Sequence, residues 1–444
     1  MTCKTTLRLS PSLTNYIPTT TITIKMKVLI VGCGLAGLST AISLTSKKED
    51  VQITIVERRT DLESRGATFG LQICGQTALN EIAGVTTDKD CEMLKKLKNA
   101  GLLIPSSGGY MLPWWEVRDA LLEEVKERED KIKIHLGLSI DKVTEQDDGS
   151  YIAAFKDSNL QIDADLIIGA DGVHSHVRRE ILSLHQATPS GAFVWRGSVD
   201  TSSTNNDKLK QMQEYPIAKF TKFGEGMILT YFNFHPKVVG QIAWVFTVRS
   251  HMLPEGVTID CGATTPADLI QAYMDSADSS GDEELKENHE LAMLVFENTH
   301  QQSDLTWSSE MGVVDLTRED IGWGGKGRIT LVGDAAHAIR PASGLGGSLA
   351  FEDAALLARY IARCDTSSVA SIEEQLREFE KVRLPRCKSI SNDQSIRAEL
   401  SYKLGFGGVP AWDAAYAKWI DEGIYSTPEP PVSEMDVFDG LLSD

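Results

Sequence analysis

Two short apolar runs rich in β-branched residues, 27–31 (KVLIV) and 51–56 (VQITIV), flank a stretch over 35–45 that reads as a helix. Apolar runs of this length predict buried parallel strands, so the unit reads strand–helix–strand. A second helix is predicted over 114–129, with Val117, Leu121, Leu122 and Val125 on one face. Short strands follow at 132–135, 138–144, 151–155 and 160–162. The turn Asp147-Asp148-Gly149 between two of them is a hairpin signal. These predict a three-stranded meander inserted into the parallel unit, to which 165–169 (DLIIG) returns. The segment 61–84 reads as a connection to a variable region.

From about 184 to 315 the pattern changes. Strands are predicted at 193–199, 217–222, 227–234 and 241–249, several alternating and carrying large aromatics. They predict a mostly antiparallel sheet with one face against a pocket or partner layer. Helices are expected over 266–273 and 283–299. The run 328–332 leads back to the first unit, and a long helical tract covers 372–402. The fold class is α/β plus α+β. The expected layout is a leader over 1–25, a nucleotide domain split between 26–183 and 316–370, and a substrate domain over 184–315. A helical region over 371–427 and a proline-rich acidic tail over 428–444 complete it.

Chemistry enters at the end of the first strand. Gly32, Gly34 and Gly37 stand in GCGLAG, between strand and helix. Gly32 permits the tight turn, Gly34 leaves room for phosphates, and Gly37 lets helix and strand pack closely. With Leu35 and Ala36 they place a dinucleotide pyrophosphate at the positive end of the helix. Glu57 ends the second strand, 20 positions past Gly37, where an acid is expected to bind the adenosine ribose; Arg58 beside it is a further candidate contact. About 300 residues later another glycine signature, at Gly333-Asp334, suggests that distant sequence completes the same Rossmann-like domain, and with Ala170-Asp171-Gly172 between them the three point together to FAD bound in extended form by a discontinuous domain.

Bulk properties narrow the class without naming a substrate. The chain has 444 residues, 42% hydrophobic and 24% charged, which suits two packed domains. A net charge of −19 argues against general nucleic-acid binding. Seven scattered cysteines without a CxxC pair suit a reducing compartment, and Cys33 reads as a small filler in the turn. No apolar run reaches the roughly 18 residues of a membrane span. The leader is rich in Thr and Ser and lacks acids. It reads as a disordered leader of a cytoplasmic protein, an upstream start with Met26 as the effective beginning, or an organelle-targeting segment.

Two further motifs carry a resemblance. The middle one runs from Asp165 through Asp171-Gly172 to His174, His176, Arg178 and Arg179; the last runs from Gly333-Asp334 through His337, Arg340 and Pro341 to Gly344, Leu345, Gly346, Gly347 and Ser348. In this order over about 26–400, the chain resembles the single-component FAD-dependent aromatic hydroxylases. These have the p-hydroxybenzoate hydroxylase fold, here the salicylate-hydroxylase-like branch. The resemblance implies that Asp171 lies at the flavin nucleotide and helps bind pyridine nucleotide, though an aspartate before glycine also suits a helix N-cap. It implies that Asp334 accepts a hydrogen bond from the ribityl chain and that Pro341 lies against the flavin ring. The backbone from Gly344 to Ser348 then meets the pyrimidine edge. A helix beginning near Gly346 aims free N–H groups at N1 and C2=O, where negative charge develops on reduction. Leu345 departs from the glutamine usual in this branch. Arg118 matches a family arginine that reaches FAD, and Arg65 is a weaker match to another. His337 reads as a structural hydrogen-bonding residue. His174 and His176, two apart, do not readily share an ion, so no metal is expected. The tract from Glu380 to Arg386 reads as structural.

The resemblance implies a monooxygenase in which NADPH or NADH reduces FAD, dioxygen adds at flavin C4a, and the hydroperoxide passes one oxygen to a small substrate, an aromatic ring first. A monomer or homodimer is expected. Arg196, on a strand among Trp195, Tyr231, Phe232, Phe234, Trp244 and Phe246, is the candidate anchor for a substrate carboxylate, and with Pro341 the candidate catalytic residue. Most of those aromatics are expected to be core. An epoxidase of an isoprenoid-type alkene and a non-catalytic FAD-binding sensor are the alternatives. A halogenase is disfavoured because its WxWxIP motif is absent.

Overall fold

The computed structural model describes residues 25–62, 68–85, 89–104, 108–201, 204–214, 218–224, 226–233, 240–253, 255–260, 263–276, 282–299, 312–316, 318, 320–340, 344–364 and 368–404, with backbone alone at 218 and 393–404. Residues 1–24 of the expected leader over 1–25, together with Arg65, Phe234, Pro341 and the acidic tail, lie outside the described residues.

The chain opens with β1 (Met26–Val31), α1 (Leu35–Lys47) and β2 (Val51–Glu57). It continues through β3 (Thr68–Leu71), α2 (Ile73–Ile82), α3 (Glu92–Ala100), β4 (Leu102–Leu103), β5 (Tyr110–Pro113), α4 (Trp114–Lys126) and β6 (Ile132–Leu136). The meander is β7 (Ile140–Glu145), β8 (Tyr151–Phe155) and β9 (Gln161–Ala164), and β10 (Leu166–Gly169) follows it. Next come β11 (Thr188–Pro189), β12 (Ala192–Asp200), α5 (Asp207–Gln211), β13 (Ala218–Phe223), β14 (Met227–Asn233) and β15 (Gln241–Arg249). The last elements are α6 (Pro266–Ser276), α7 (Glu283–Glu297), β16 (Gly312–Val313), β17 (Ile329–Leu331), α8 (Asp334–His337), α9 (Gly346–Ala362) and α10 (Val369–Leu404).

A five-stranded parallel sheet, in the order β17-β10-β1-β2-β6, forms the first layer. Its central strand β1 is buried on both faces (Leu29 and Ile30 are inaccessible), which is why the sequence there is a continuous apolar run rather than an alternating one. Helix α9 packs against α1, α2 and α10. The last strand, β17, pairs with β10 through Ile167↔Ile329 and Gly169↔Leu331, so sequence from both sides of the antiparallel region enters one sheet.

That region is a four-stranded antiparallel sheet, β12-β15-β14-β13, with its own core against α6 and α7. The pairings Trp195↔Phe246 and Gly197↔Trp244 put those rings on one face. Trp195, Tyr231, Trp244 and Phe246 all join this core, with Phe296 of α7 at 5.1 Å from Trp244. Arg196 and Phe232 alternate onto the other face.

Two local expectations change. The strand at Ile132 belongs to the parallel sheet beside β2, so the meander is built from the three strands after it. The stretch read as a connection contains β3 and α2, and β3 joins β5 and β4 in a small sheet. Short strands and a glycine inside α2 hid this unit, which packing against α9 stabilises. The five cysteines at 33, 74, 91, 364 and 387 are free and buried. Burial first, then Glu57, pushes the Cys33 thiol up to about 12, and burial pushes Cys364 up to about 11. Brief iodoacetamide treatment of native protein near pH 8 is therefore expected to leave both unmodified in peptide mass maps, with labelling appearing only after unfolding. Labelling of native Cys33 at the unfolded rate would contradict its burial.

Candidate active site

The glycine turn after β1 has the stereochemistry its sequence requires. Gly32 adopts φ +113°, and a Cβ there would meet Ala170 O at 2.3 Å. A Cβ on Gly37 would lie 2.0 Å from Gly32 O. At Gly34 the same test finds nothing within 4 Å, so the space in front of α1 is open. No side chain caps the start of α1, and its first turn holds no acid. An uncapped helix N-terminus facing open space suits an anion.

Glu57 braces this turn. Its Oε2 accepts from Cys33 N at 3.0 Å and its Oε1 from Arg59 N at 3.0 Å. Each oxygen keeps a second lone pair for a ribose hydroxyl. Arg58 points into solvent. Arg118, on α4, is buried near enough to Cys33 to pull its thiol down against burial. Its Nε and Nη2 donate to Asp119 Oδ1 at 3.1 and 2.7 Å, while buried Nη1 has no partner.

Asp171 is not the N-cap residue of the helical turn that follows, which is His176, but it accepts from that turn's first N–H groups. Its carboxylate accepts from Ser175 Oγ at 2.5 Å, His176 N at 2.7 Å and Val177 N at 3.2 Å, at the start of the π-helical turn Val177–Ile181. Burial raises its pKa, against those hydrogen bonds. His176 Nε2 contacts Asp141 O at 3.0 Å rather than facing His174. Arg178, unsingled by the sequence reading except as part of its motif, is fully buried. It donates to five carbonyls: His185 O, Ala335 O, Ala336 O, Ile321 O and Gly322 O. It thereby ties the middle motif to α8. Burial pulls its guanidinium down to about 10.

The last motif forms a second open site. Gly333 takes φ +60° beside the Cβ of Ala36, and Asp334 starts α8. Asp334 is solvent-accessible yet ringed by protein. Burial in that ring raises its carboxyl pKa, while His337 and Arg196 pull it down. Among the described residues, neither the Asp334 carboxylate nor the Arg196 guanidinium has a hydrogen-bond or ion-pair partner. Burial lowers the Arg196 pKa and Asp334 raises it, so the two charges feel each other.

Around Asp334 the glycines divide in role. Asp334 Oδ1 is 4.0 Å from where a Gly346 Cβ would be, at the start of α9. Gly344 takes φ +68° against Gly70, and Gly347 packs on the Phe69 ring. Ser348 is buried, and its Oγ accepts from Gln72 N at 3.2 Å, a structural tie between α9 and the start of α2. Like α1, α9 begins without a side-chain cap or an acid in its first turn. His337 is structural: its Nε2 lies 2.6 Å from Asp353 Oδ2 in the core.

Comparison with known proteins decides the family. The FAD binding domain family matches residues 76–391 of this chain. The chain belongs to the FAD binding domain family. Its relatives include the 2-heptyl-3-hydroxy-4(1H)-quinolone synthase of Pseudomonas aeruginosa, 27% identical over 370 residues, 80% of this chain and 85% of that protein. The Aurachin C monooxygenase/isomerase of Stigmatella aurantiaca is 26% identical over 413 residues, 89% of this chain and 93% of that one. Among solved structures, Klebsiella pneumoniae HpxO, complexed with FAD and uric acid, shares the fold. Its TM-score is 0.62 at 20% identity, covering 89% of this chain and 93% of that one. The residues of this family member fit its cofactor. Among the described residues, Gly34 leaves room, Arg118 Nη1 lacks a partner, the Asp334 carboxylate accepts no hydrogen bond, and two helix N-termini carry no side-chain cap.

Proposed function

We propose that this protein is an FAD-dependent monooxygenase that takes electrons from NADPH or NADH and inserts one atom of dioxygen into an aromatic ring. The observation that carries the reading is the electrostatic pairing of Asp334, on the turn after the parallel sheet's last strand, with Arg196 of the antiparallel sheet, two side chains without hydrogen-bond partners among the described residues. Residues 26–183 and 316–370 form the discontinuous, Rossmann-like cofactor domain, and 184–315 form the substrate domain. Pairing of β17 with β10 supports that division.

Bound FAD supplies the electron relay from nicotinamide to dioxygen and the delivery of one oxygen atom. The chain's residues do the rest. The α1 N-terminus, Gly34 and Arg118 hold the pyrophosphate, and Glu57 the adenosine ribose. Asp334 accepts from the ribityl chain. The N–H groups at the start of α9 favour negative charge on the ring. Arg196 holds an anionic or carbonyl oxygen of the substrate with charge-assisted hydrogen bonds. The two sheets together limit water at the reacting centre.

Small aromatic acids and phenols are the first substrates to test. One relative is named a synthase of a 3-hydroxy-4(1H)-quinolone, so 4-quinolones belong in the same screen. The true substrate is expected to accelerate NAD(P)H oxidation, and one atom of labelled dioxygen is expected in the product by mass spectrometry. Arg196→Met is expected to cost an anionic substrate about 1.5–3 kcal/mol of binding, a roughly ten- to hundredfold rise in KM. A neutral alkene would be little affected, which separates the epoxidase alternative. Product oxygen drawn from water, or oxidation without insertion, would refute the proposal.

A further inference from the structure

Four residues from the C-terminal helices meet behind the Asp334 turn. Asp353 of α9 is fully buried. Its Oδ2 accepts from Gly333 N at 2.7 Å and from His337 Nε2 at 2.6 Å, and its Oδ1 from Arg383 Nε at 2.7 Å. Gly333 precedes α8 and His337 ends it, so one carboxylate fastens both ends of the turn that carries Asp334. Arg383 also donates from Nη1 to Glu352 Oε2 at 2.6 Å. Arg386, one turn further along α10, donates to both Glu352 oxygens at 2.7 and 2.9 Å and has no contact with Asp353.

His337, Asp353 and Cys387 each have a ligand atom within 4.8 Å of the others, which raises the question of a metal. The donors answer it. Asp353 Oδ2 already takes two hydrogen bonds, and Arg383 Nη2 lies 3.6 Å from Cys387 Sγ. A guanidinium occupies the charge a metal would need. The cluster is a hydrogen-bond hub, with two buried carboxylates balanced by two buried arginines. Burial pushes the Asp353 carboxyl up, but His337, Arg383 and the Gly333 N–H hold it below the usual carboxylate range.

We propose that Asp353 and Arg383 are positioning residues for FAD, acting through the Gly333–His337 turn to fix where the Asp334 carboxylate points. The proposal rests on the FAD reading above. A residue on the C-terminal helix then controls cofactor affinity without touching the cofactor. Arg386 is the internal control, because its loss breaks a buried ion pair of the same helix while leaving Asp353 its three donors.

The test compares Asp353→Asn, Arg383→Lys and Arg386→Met with wild type. FAD affinity is read by fluorescence quenching, bound-flavin environment by the visible absorption band, and apoprotein stability by thermal unfolding. Asp353→Asn is expected to weaken FAD at least tenfold and to shift the band. Arg383→Lys replaces a fork with a single donor head and is expected to weaken FAD at least fivefold with the fold retained; it carries the test if Asp353→Asn does not fold. Arg386→Met is expected to lower the unfolding temperature with less than a twofold change in affinity and no band shift. Loss of FAD from Arg386→Met equal to that from Arg383→Lys, at matched stability, would mean the cluster acts only through the fold and would overturn the proposal. Wild-type binding that Asp353→Asn leaves unchanged overturns it alone. A wild-type apoprotein that takes up no FAD overturns the cofactor reading and this proposal with it.

Discussion

Gly34→Leu protein is expected to fold with nearly wild-type stability and to be colourless after purification. Gly34 has φ −83° and ψ −174°, ordinary extended backbone that any residue adopts, and a Cβ there meets nothing within 4 Å. Substitution at this N-cap costs the apoprotein at most about 1 kcal/mol. The same side chain fills the space in front of α1 that a pyrophosphate needs. FAD affinity is expected to fall at least about 100-fold, roughly 2.8 kcal/mol. Gly37→Ala is the contrast, because its Cβ would strike Gly32 O at 2.0 Å. That variant is expected to lose fold and flavin together. Gly34→Leu that binds FAD as wild type does would remove the first turn from the cofactor site.

Arg178→Met is expected to be the most destabilising single substitution in the middle motif. It removes the only side chain that the described residues direct at five carbonyls around α8 and the π-helical turn. Each buried group left without a partner costs about 1–3 kcal/mol, and the effects do not simply add. The methionine stem fills much of the volume but offers no donor. A loss on the order of 3–5 kcal/mol is expected, a large share of the 5–15 kcal/mol typical of a folded domain. Urea titration of the apoprotein measures it. A loss below about 1 kcal/mol would show that water or relaxation satisfies those carbonyls.

The contrast between these two sites explains what could be read from the sequence. The turn at Gly32 to Gly37 was legible because its constraints are local: strand, three glycines and helix lie within a few residues. The four strands of the antiparallel sheet were legible for the same reason, since alternation has a fixed period. Alternation defines two faces but does not say which face packs against helices. The structure assigns Trp195, Tyr231, Trp244 and Phe246 to the helices and leaves Arg196 on the other side. Asp353 was not singled out, and Arg383 stood only within a tract read as structural. Their partnership spans 30 residues and two helices, and a buried ion pair has no periodic signature. Asp171 allowed two readings in the sequence; its carboxylate accepts from His176 N and Val177 N, while the N-cap position itself belongs to His176.

The placement of β17 has a consequence for biosynthesis. The strand beside which it pairs, β10, ends at Gly169, and β17 ends at Leu331, with an independent antiparallel core between them. At roughly 5–20 residues per second, a ribosome leaves β10 as an unpaired sheet edge for about 8–30 seconds. Helix α9, which covers α1, is made later still. The early sheet therefore waits with an open edge and an uncovered helix while the middle region folds. Exposed edges and apolar faces are what chaperones bind and what aggregates nucleate on. Nascent chains of this protein are most exposed to misassembly in that interval, and folding yield depends on how fast the remaining 160 or so residues arrive.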